Sequence, residues 1–172
     1  LVARVSRRVK GKVQLYDGAT PVFEHFDVEQ QLDNAFKRRV RLKSGGYLVF
    51  DETEALVAID INTGRHKGGN SQEESITQVN LEAAEEIARQ LRLRNVGGLV
   101  IIDFIDMANN KHRRQVEKTL KDGLRNDKAR SYVSRISENG LRELYRQRLK
   151  AALAVQTHRD CPTCEGRGVL PS

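Results

Sequence analysis

The sequence predicts an α/β fold, a mixed sheet with flanking helices, and three observations carry that prediction. Two short runs, ALVAID (55–60) and GGLVIID (97–103), are nearly continuous in apolar residues, the composition of strands buried on both faces. Between them Ile76, Val79, Ala83, Ile87 and Leu91 recur at helical spacing, so strand, helix and strand alternate. Upstream, RVRLKSGGYLVFD (39–51) sets two β-rich runs around Ser44-Gly45-Gly46, which reads as a hairpin and supplies an antiparallel portion.

The elements follow in order. Residues 1 to about 26 are irregular, with a short strand and turn at VQLYDG (13–18) and an extended connector at ATPVF (19–23). DVEQQLDNAFKR places Val28, Leu32 and Phe36 on one helical face after Asp27 as the cap. After the hairpin, the strand ALVAIDIN ends in Asp60 and Asn62. TGRHKGGNSQ (63–72) is glycine-rich and without periodicity, hence a loop. The long helix after it presents Glu and Arg outward and stops at Asn95 and Gly97-Gly98. The strand LVIID, a helix over about 109–126, a strand at SYVSRIS (131–137) and a last helix at ENGLRELYRQRL (138–149) complete the reading.

At 172 residues the chain has room for one ordinary domain and a fragment of another. Its only methionine is Met107, so it reads as an excerpt of a longer polypeptide. No run is long enough to span a membrane, and the basic opening LVARVSRRVKGK lacks the apolar segment of a signal peptide. The net charge of +7 favours a polyanionic partner, nucleic acid before an anionic membrane surface. KRRVRLK (37–43) holds five cations in seven residues, and RQLRLR (89–94) and KHRR (111–114) repeat the theme, although solvated helix faces also carry such runs. Two cysteines in a single CxxC provide no disulfide framework and fit a reducing compartment.

Chemistry concentrates at two strand ends. If the strands ending in Asp60 and Asp103 are neighbours, both carboxylates project into the crevice beyond the carboxyl ends of the sheet. Two such groups repel unless they share a proton or bind a cation, and magnesium commonly takes one or two protein carboxylates. Asn62, two residues after Asp60 on the same strand face, is placed to orient a carboxylate or water. The competing reading is that an aspartate ending a strand is an ordinary turn or cap residue. That is the role expected of Asp106, which starts the turn and helix after the second strand. His66 and His112 lie in polar sequence and read as surface residues. At the C-terminus CPTCEGRG supplies two thiolates, Cys161 and Cys164, where a structural zinc needs four ligands. The site is incomplete unless another chain contributes, even with His158 nearby. The octapeptide also occurs in zinc repeats of J-domain co-chaperones, and a redox CxxC lacks its usual context.

The runs AIDINTGRHKGG, NLEAAEEIARQLRLRNVGGLVIIDFIDM, DKARSYVSRISENGLRELYRQR and CPTCEGRG, taken together, resemble bacterial and plastid ribonuclease E/G over nearly the whole chain. The resemblance implies a magnesium-dependent endoribonuclease that cuts single-stranded, AU-rich RNA in RNA processing and mRNA decay. Products with 5′-phosphate and 3′-hydroxyl ends are implied with it. It implies the tail of a ribonuclease-H-like lobe at 1–35, a deoxyribonuclease-I-like catalytic subdomain at 36–157, and a zinc-link at 158–172. Asp60 and Asp103 would hold magnesium with Asn62 hydrogen-bonding beside them, and Arg130 would sense a 5′-monophosphate. Cys161 and Cys164 would share a zinc with a second chain, giving a homodimer and a higher homo-oligomer in the full-length enzyme. The implied location is the bacterial cytoplasm or the plastid stroma.

Lys37, Arg38, Arg39, Arg41 and Lys43 are candidates for salt-sensitive backbone contacts to RNA, as are Arg142, Arg146 and Arg148. Isolated Tyr and Phe residues offer no stacking platform, and no protein general base is apparent. The family's aromatic RNA clamp lies on an oligonucleotide-binding barrel outside this sequence. Two alternatives stand beside the enzyme: a non-catalytic RNA-docking and zinc-linked dimerisation fragment, and a metal phosphodiesterase acting on DNA or small phosphoesters.

Overall fold

Residues 12–64, 72–137, 140–153, 161–164 and 168 are described by a computed structural model, in which the chain forms two compact units, 1–34 and 35–172. In the first unit, VQLYDG forms no strand, and Tyr16 instead donates its hydroxyl to the Thr20 carbonyl at 2.6 Å. The expected connector at ATPVF gives way to a one-turn helix, α1 (Val22–His25), entered through Pro21. Tyr16, His25 and Phe26 gather into an aromatic cluster with centroids 4.7 to 6.1 Å apart. Asp27 takes φ 53°, and its carbonyl accepts from the Gln31 N–H as α2 (Val28–Phe36) begins.

The second unit is built on a six-stranded mixed sheet. Its strands are β1 (Arg39–Arg41), β2 (Tyr47–Glu52), β3 (Leu56–Asn62), β4 (Gly98–Asp103), β5 (Ser131–Val133) and β6 (Leu141–Arg146). They lie in the order β1-β2-β3-β4-β6-β5. The expected hairpin forms β1 and β2, closed by Leu42 N–H donating to Gly46 O at 2.8 Å. The β3–β4 pair alone is parallel, as its helical crossover requires. That crossover is α3 (Gln72–Leu93), on which Val79, Ala83, Ile87 and Leu91 are buried as expected, with Ile76 packed at the rim. Asn95 ends the helical segment at φ 50°. α4 (Asn110–Leu124) follows β4 and packs on α3 closely enough that a Cβ at Gly123 would lie 2.8 Å from Ala88 Cβ.

The core fills one face of the sheet: Leu48, Phe50, Val57, Ile59, Ile61, Val100, Ile102 and Leu144 meet the apolar stripes of α3 and α4. The alternate residues form the opposite face, here called the open face, on which Asp60, Leu99, Asp103, Leu141, Glu143 and Tyr145 are exposed.

The last element departs from expectation. LRELYR, read as part of a helix, is the strand β6, antiparallel to β4 over six residue pairs. Its inward positions are Arg142, Leu144 and Arg146, so two of three buried side chains are cations and the period of two is hidden from an apolar count. Pairing with a central strand overrides the helical propensity of Leu, Arg and Glu. The strand expected over 131–137 is regular only to Val133, where single bonds from Ser134 N–H to Glu143 O and Ser137 N–H to Leu141 O take over.

Candidate active site

Parallel register sets Asp60 directly opposite Asp103, each at or near the carboxyl end of its strand. Their neighbours Ile59, Ile61 and Ile102 point into the core, so both carboxylates stand on the open face. Asn62 shares that face and donates its Nδ2–H to Asp60 Oδ2 at 2.6 Å, fixing the orientation of the carboxylate. Partial burial pushes the Asp103 carboxyl up, and the negative charges of Asp60 and Asp106 push it further. Carboxylates so arranged favour a cation between them.

The backbone beyond Asp103 is held from two sides. Asn80, fully buried on α3, donates from Nδ2 to Ile105 O at 2.7 Å and accepts the Ile105 N–H at 3.1 Å. Phe104 N–H donates to Gly140 O at 3.3 Å, and Gly140 takes φ 78°, where a Cβ would meet Phe104 O at 2.5 Å. Neither residue was expected at the site. The available signal was Asn80 itself, an amide on an otherwise apolar helical stripe.

The donor set suits a hard divalent cation with most of its shell left to water or phosphate. Among the described residues no group of three or more His, Cys, Asp or Glu side chains is placed to hold a metal. Asp106 does not start the following helix; Asn109 is its cap, accepting the Lys111 N–H at 2.8 Å. His112 is half-buried rather than free on the surface, 3.2 Å from Glu73 Oε1. His66 and His158, with most of the loop at 63–72, lie outside the described residues.

The basic residues divide. Arg142 and Arg146 are 0% and 3% exposed, which removes them as contacts to an external polyanion. Arg146 makes a two-pronged bond to Asp127 at 2.7 and 3.0 Å and donates to Val96 O, while Arg142 bonds Ser134 O. Arg94, in the second basic run, is buried over the Phe50 ring. In the first run Arg38 is paired with Asp51 at 2.5 and 2.8 Å, and Arg39 lies 3.4 Å above the Tyr47 ring. Lys37, Arg41 and Lys43 are exposed, as is Arg148.

Arg130 is also exposed. It precedes β5 in a segment tied by its own carbonyl to Gln147 N–H at 2.8 Å and by Asp127 to Ala129 N–H at 3.0 Å. Tyr132 and Tyr145, isolated in the sequence, are register partners on the open face.

Cys161 and Cys164 lie on one short turn, exposed and half-buried, where N–H groups of Thr163 and Cys164 pull the Cys161 thiol below its usual range. Gly168 N–H donates to Cys164 Sγ at 3.3 Å. Two sulfur donors on one turn supply two of the four ligands a structural zinc requires.

The model of the Ribonuclease E/G family matches residues 1–149. Ribonuclease E of Haemophilus influenzae is 54% identical over 157 residues, covering 91% of this chain and 17% of the relative. Ribonuclease E of Escherichia coli K12 is 52% identical over 92% of this chain and 15% of its own length. Ribonuclease G of the same strain is 46% identical over 92% of this chain and 32% of its own length. The chain thus spans less than a third of each of these relatives.

Proposed function

The chain belongs to the ribonuclease E/G family, and from that premise we propose that it carries the catalytic centre of a magnesium-dependent endoribonuclease acting on single-stranded, AU-rich RNA. The observation that carries the reading is the Asp60–Asp103 pair, face to face across two parallel strands with Asn62 bonded to one of them. Asp60 and Asp103 would hold the magnesium, which when bound supplies Lewis-acid activation of water and offsets charge developing on the phosphate. Asn62 keeps the Asp60 carboxylate turned to the open face, and Asn80 and Gly140 fix the backbone that leaves Asp103.

Arg130 is exposed and suits two-pronged recognition of a 5′-monophosphate, since a guanidinium matches phosphate geometry. Lys37, Arg41, Lys43 and Arg148 add backbone affinity that falls with salt. The paired thiols of Cys161 and Cys164 would join two chains through a shared zinc. The compartment we infer is the bacterial cytoplasm or the plastid stroma, where a reduced CxxC persists. Among the described residues no helix is long and apolar enough to cross a membrane.

The test is cleavage of a 5′-monophosphorylated, AU-rich single-stranded RNA with and without magnesium, with Asp103→Asn beside the parent. Magnesium-dependent cleavage by the parent, reduced at least a hundredfold in the variant, is the expected result, on the scale of losing a transition-state charge stabiliser. Cleavage unaffected by the substitution removes Asp103 from the mechanism. No cleavage by either reduces the chain to an RNA-docking and assembly fragment.

A further inference from the structure

Four strands of the open face align one residue each in a single row: Tyr132 on β5, Tyr145 on β6, Leu99 on β4 and Leu56 on β3. Tyr132 is 74% exposed, Tyr145 56% and Leu99 40%, on a face whose other rows carry the candidate catalytic carboxylates. Leu99 and Asp103 are four residues apart on β4, so the tyrosine row lies roughly 13 Å from the carboxylate row at about 3.3 Å per residue. Arg130 immediately precedes the β5 tyrosine strand and Arg148 follows β6, both exposed. One face therefore bears two solvent-facing aromatic rings in one row and a carboxylate pair in another, and exposed cations flank the strands at the tyrosine end, with Arg148 donating to Gly97 O at 3.2 Å.

Resting on the reading that this face works on RNA, we propose that Tyr132 and Tyr145 are a stacking platform for bases of the single-stranded RNA substrate, between the Arg130 end and the Asp60–Asp103 pair. Adjacent aromatic residues on an exposed sheet are a recurrent solution for binding unpaired bases, because every base presents a π-face. The charges on the face set the strand's orientation. Glu143 lies between Tyr145 and Leu141 along β6, and Asp51 stands in the same row, paired with Arg38. The Glu143 carboxylate, next to Tyr145 on this face, repels phosphates, whereas Asp51 is neutralised by Arg38, so bases face the sheet and the backbone turns outward beside the tyrosines. The same acidic positions argue against a protein lid. Covering this face with another domain would take Asp60, Asp103 and Glu143 out of water along with the apolar row, at a cost of several kcal/mol per unpaired charge.

The experiment uses the full-length protein and a 5′-monophosphorylated single-stranded oligoribonucleotide carrying 5-iodouridine. Binding is measured without magnesium, so that cleavage plays no part. Photo-crosslinks to Tyr132 and Tyr145 are expected. Tyr132→Ala and Tyr145→Ala should each raise the Kd about tenfold, within the range measured for removing a stacked base contact. Tyr132→Phe and Tyr145→Phe should bind within about twofold of the parent, since stacking needs the ring and not the hydroxyl. Alanine variants that bind RNA as the parent does, or a parent with no crosslink at either tyrosine, overturn the platform and leave the row to a neighbouring protein surface. Failure of the catalytic reading is separable: Asp103→Asn would then cleave normally while the alanine variants still bound weakly.

Discussion

Asp103 leaves its strand into a backbone held by one amide and one glycine, and both are exacting. Asn80 satisfies a donor and an acceptor of Ile105 in the way a paired strand would. Replacing it by Ala strands a part-buried N–H and C=O of Ile105, at up to about 1–3 kcal/mol for each left unsatisfied. Gly140 sits at φ 78° against Phe104 O, so Gly140→Ala adds a steric clash to left-handed strain and should cost at least ~1 kcal/mol. Urea denaturation of both variants reads the stability loss, and magnesium-dependent RNA cleavage by the fraction still folded reads the site. The expected result is a loss of cleavage larger than the unfolded fraction accounts for. Cleavage in proportion to folded protein would confine both residues to stability. At this scale the sequence announced the aspartates, because charges at the ends of apolar strands stand out. It did not announce Gly140, whose role depends on a chain crossing from 36 residues away.

Among the elements, α3 and β6 mark the two extremes of legibility. α3 is long and keeps its apolar residues on one face, so local periodicity and tertiary burial agree. β6 places arginines where a core would have aliphatics, and Asp127, Val96 O and Ser134 O receive those cations while pairing with β4 sets the register. The Arg146–Asp127 pair also ties β6 to the segment that carries Arg130. Burial by itself would raise the Asp127 carboxyl, but the bonds from Arg146 and the Ala129 N–H outweigh it and hold it below its ordinary value. A carboxyl depressed in the folded state contributes stability fully above its unfolded pKa of about 3.9, and loses it as pH falls through the lower folded value. Asp127→Asn should therefore cost about 3–5 kcal/mol near neutrality, as breaking a buried pair does. The gap between parent and variant should narrow below roughly pH 4. Thermal melts across that range check it; a gap independent of pH would mean the carboxylate charge is not what holds the strand.

In the second unit, one sheet face is committed to the core and the other carries the candidate site. Strand, helix and strand alternation conveyed the first. Of the second, the sequence pointed to Asp60 and Asp103, whereas Tyr132 and Tyr145 came together only through the register. The C-terminal cysteines extend the same logic beyond one chain. Each chain offers two sulfur atoms on one turn, whose N–H groups pull the Cys161 thiol below its usual range, and a structural zinc takes four ligands. If two chains share one ion, as proposed, purified protein should contain about one zinc per two chains. Under the proposed shared zinc, Cys161→Ser should lower the zinc content and shift the mass measured by light scattering from dimer toward monomer. A chelator should do the same to the parent, and added zinc should restore only the parent. If the Cys161→Ser protein stays dimeric with zinc removed, another surface joins the chains and the cysteine turn is not the link.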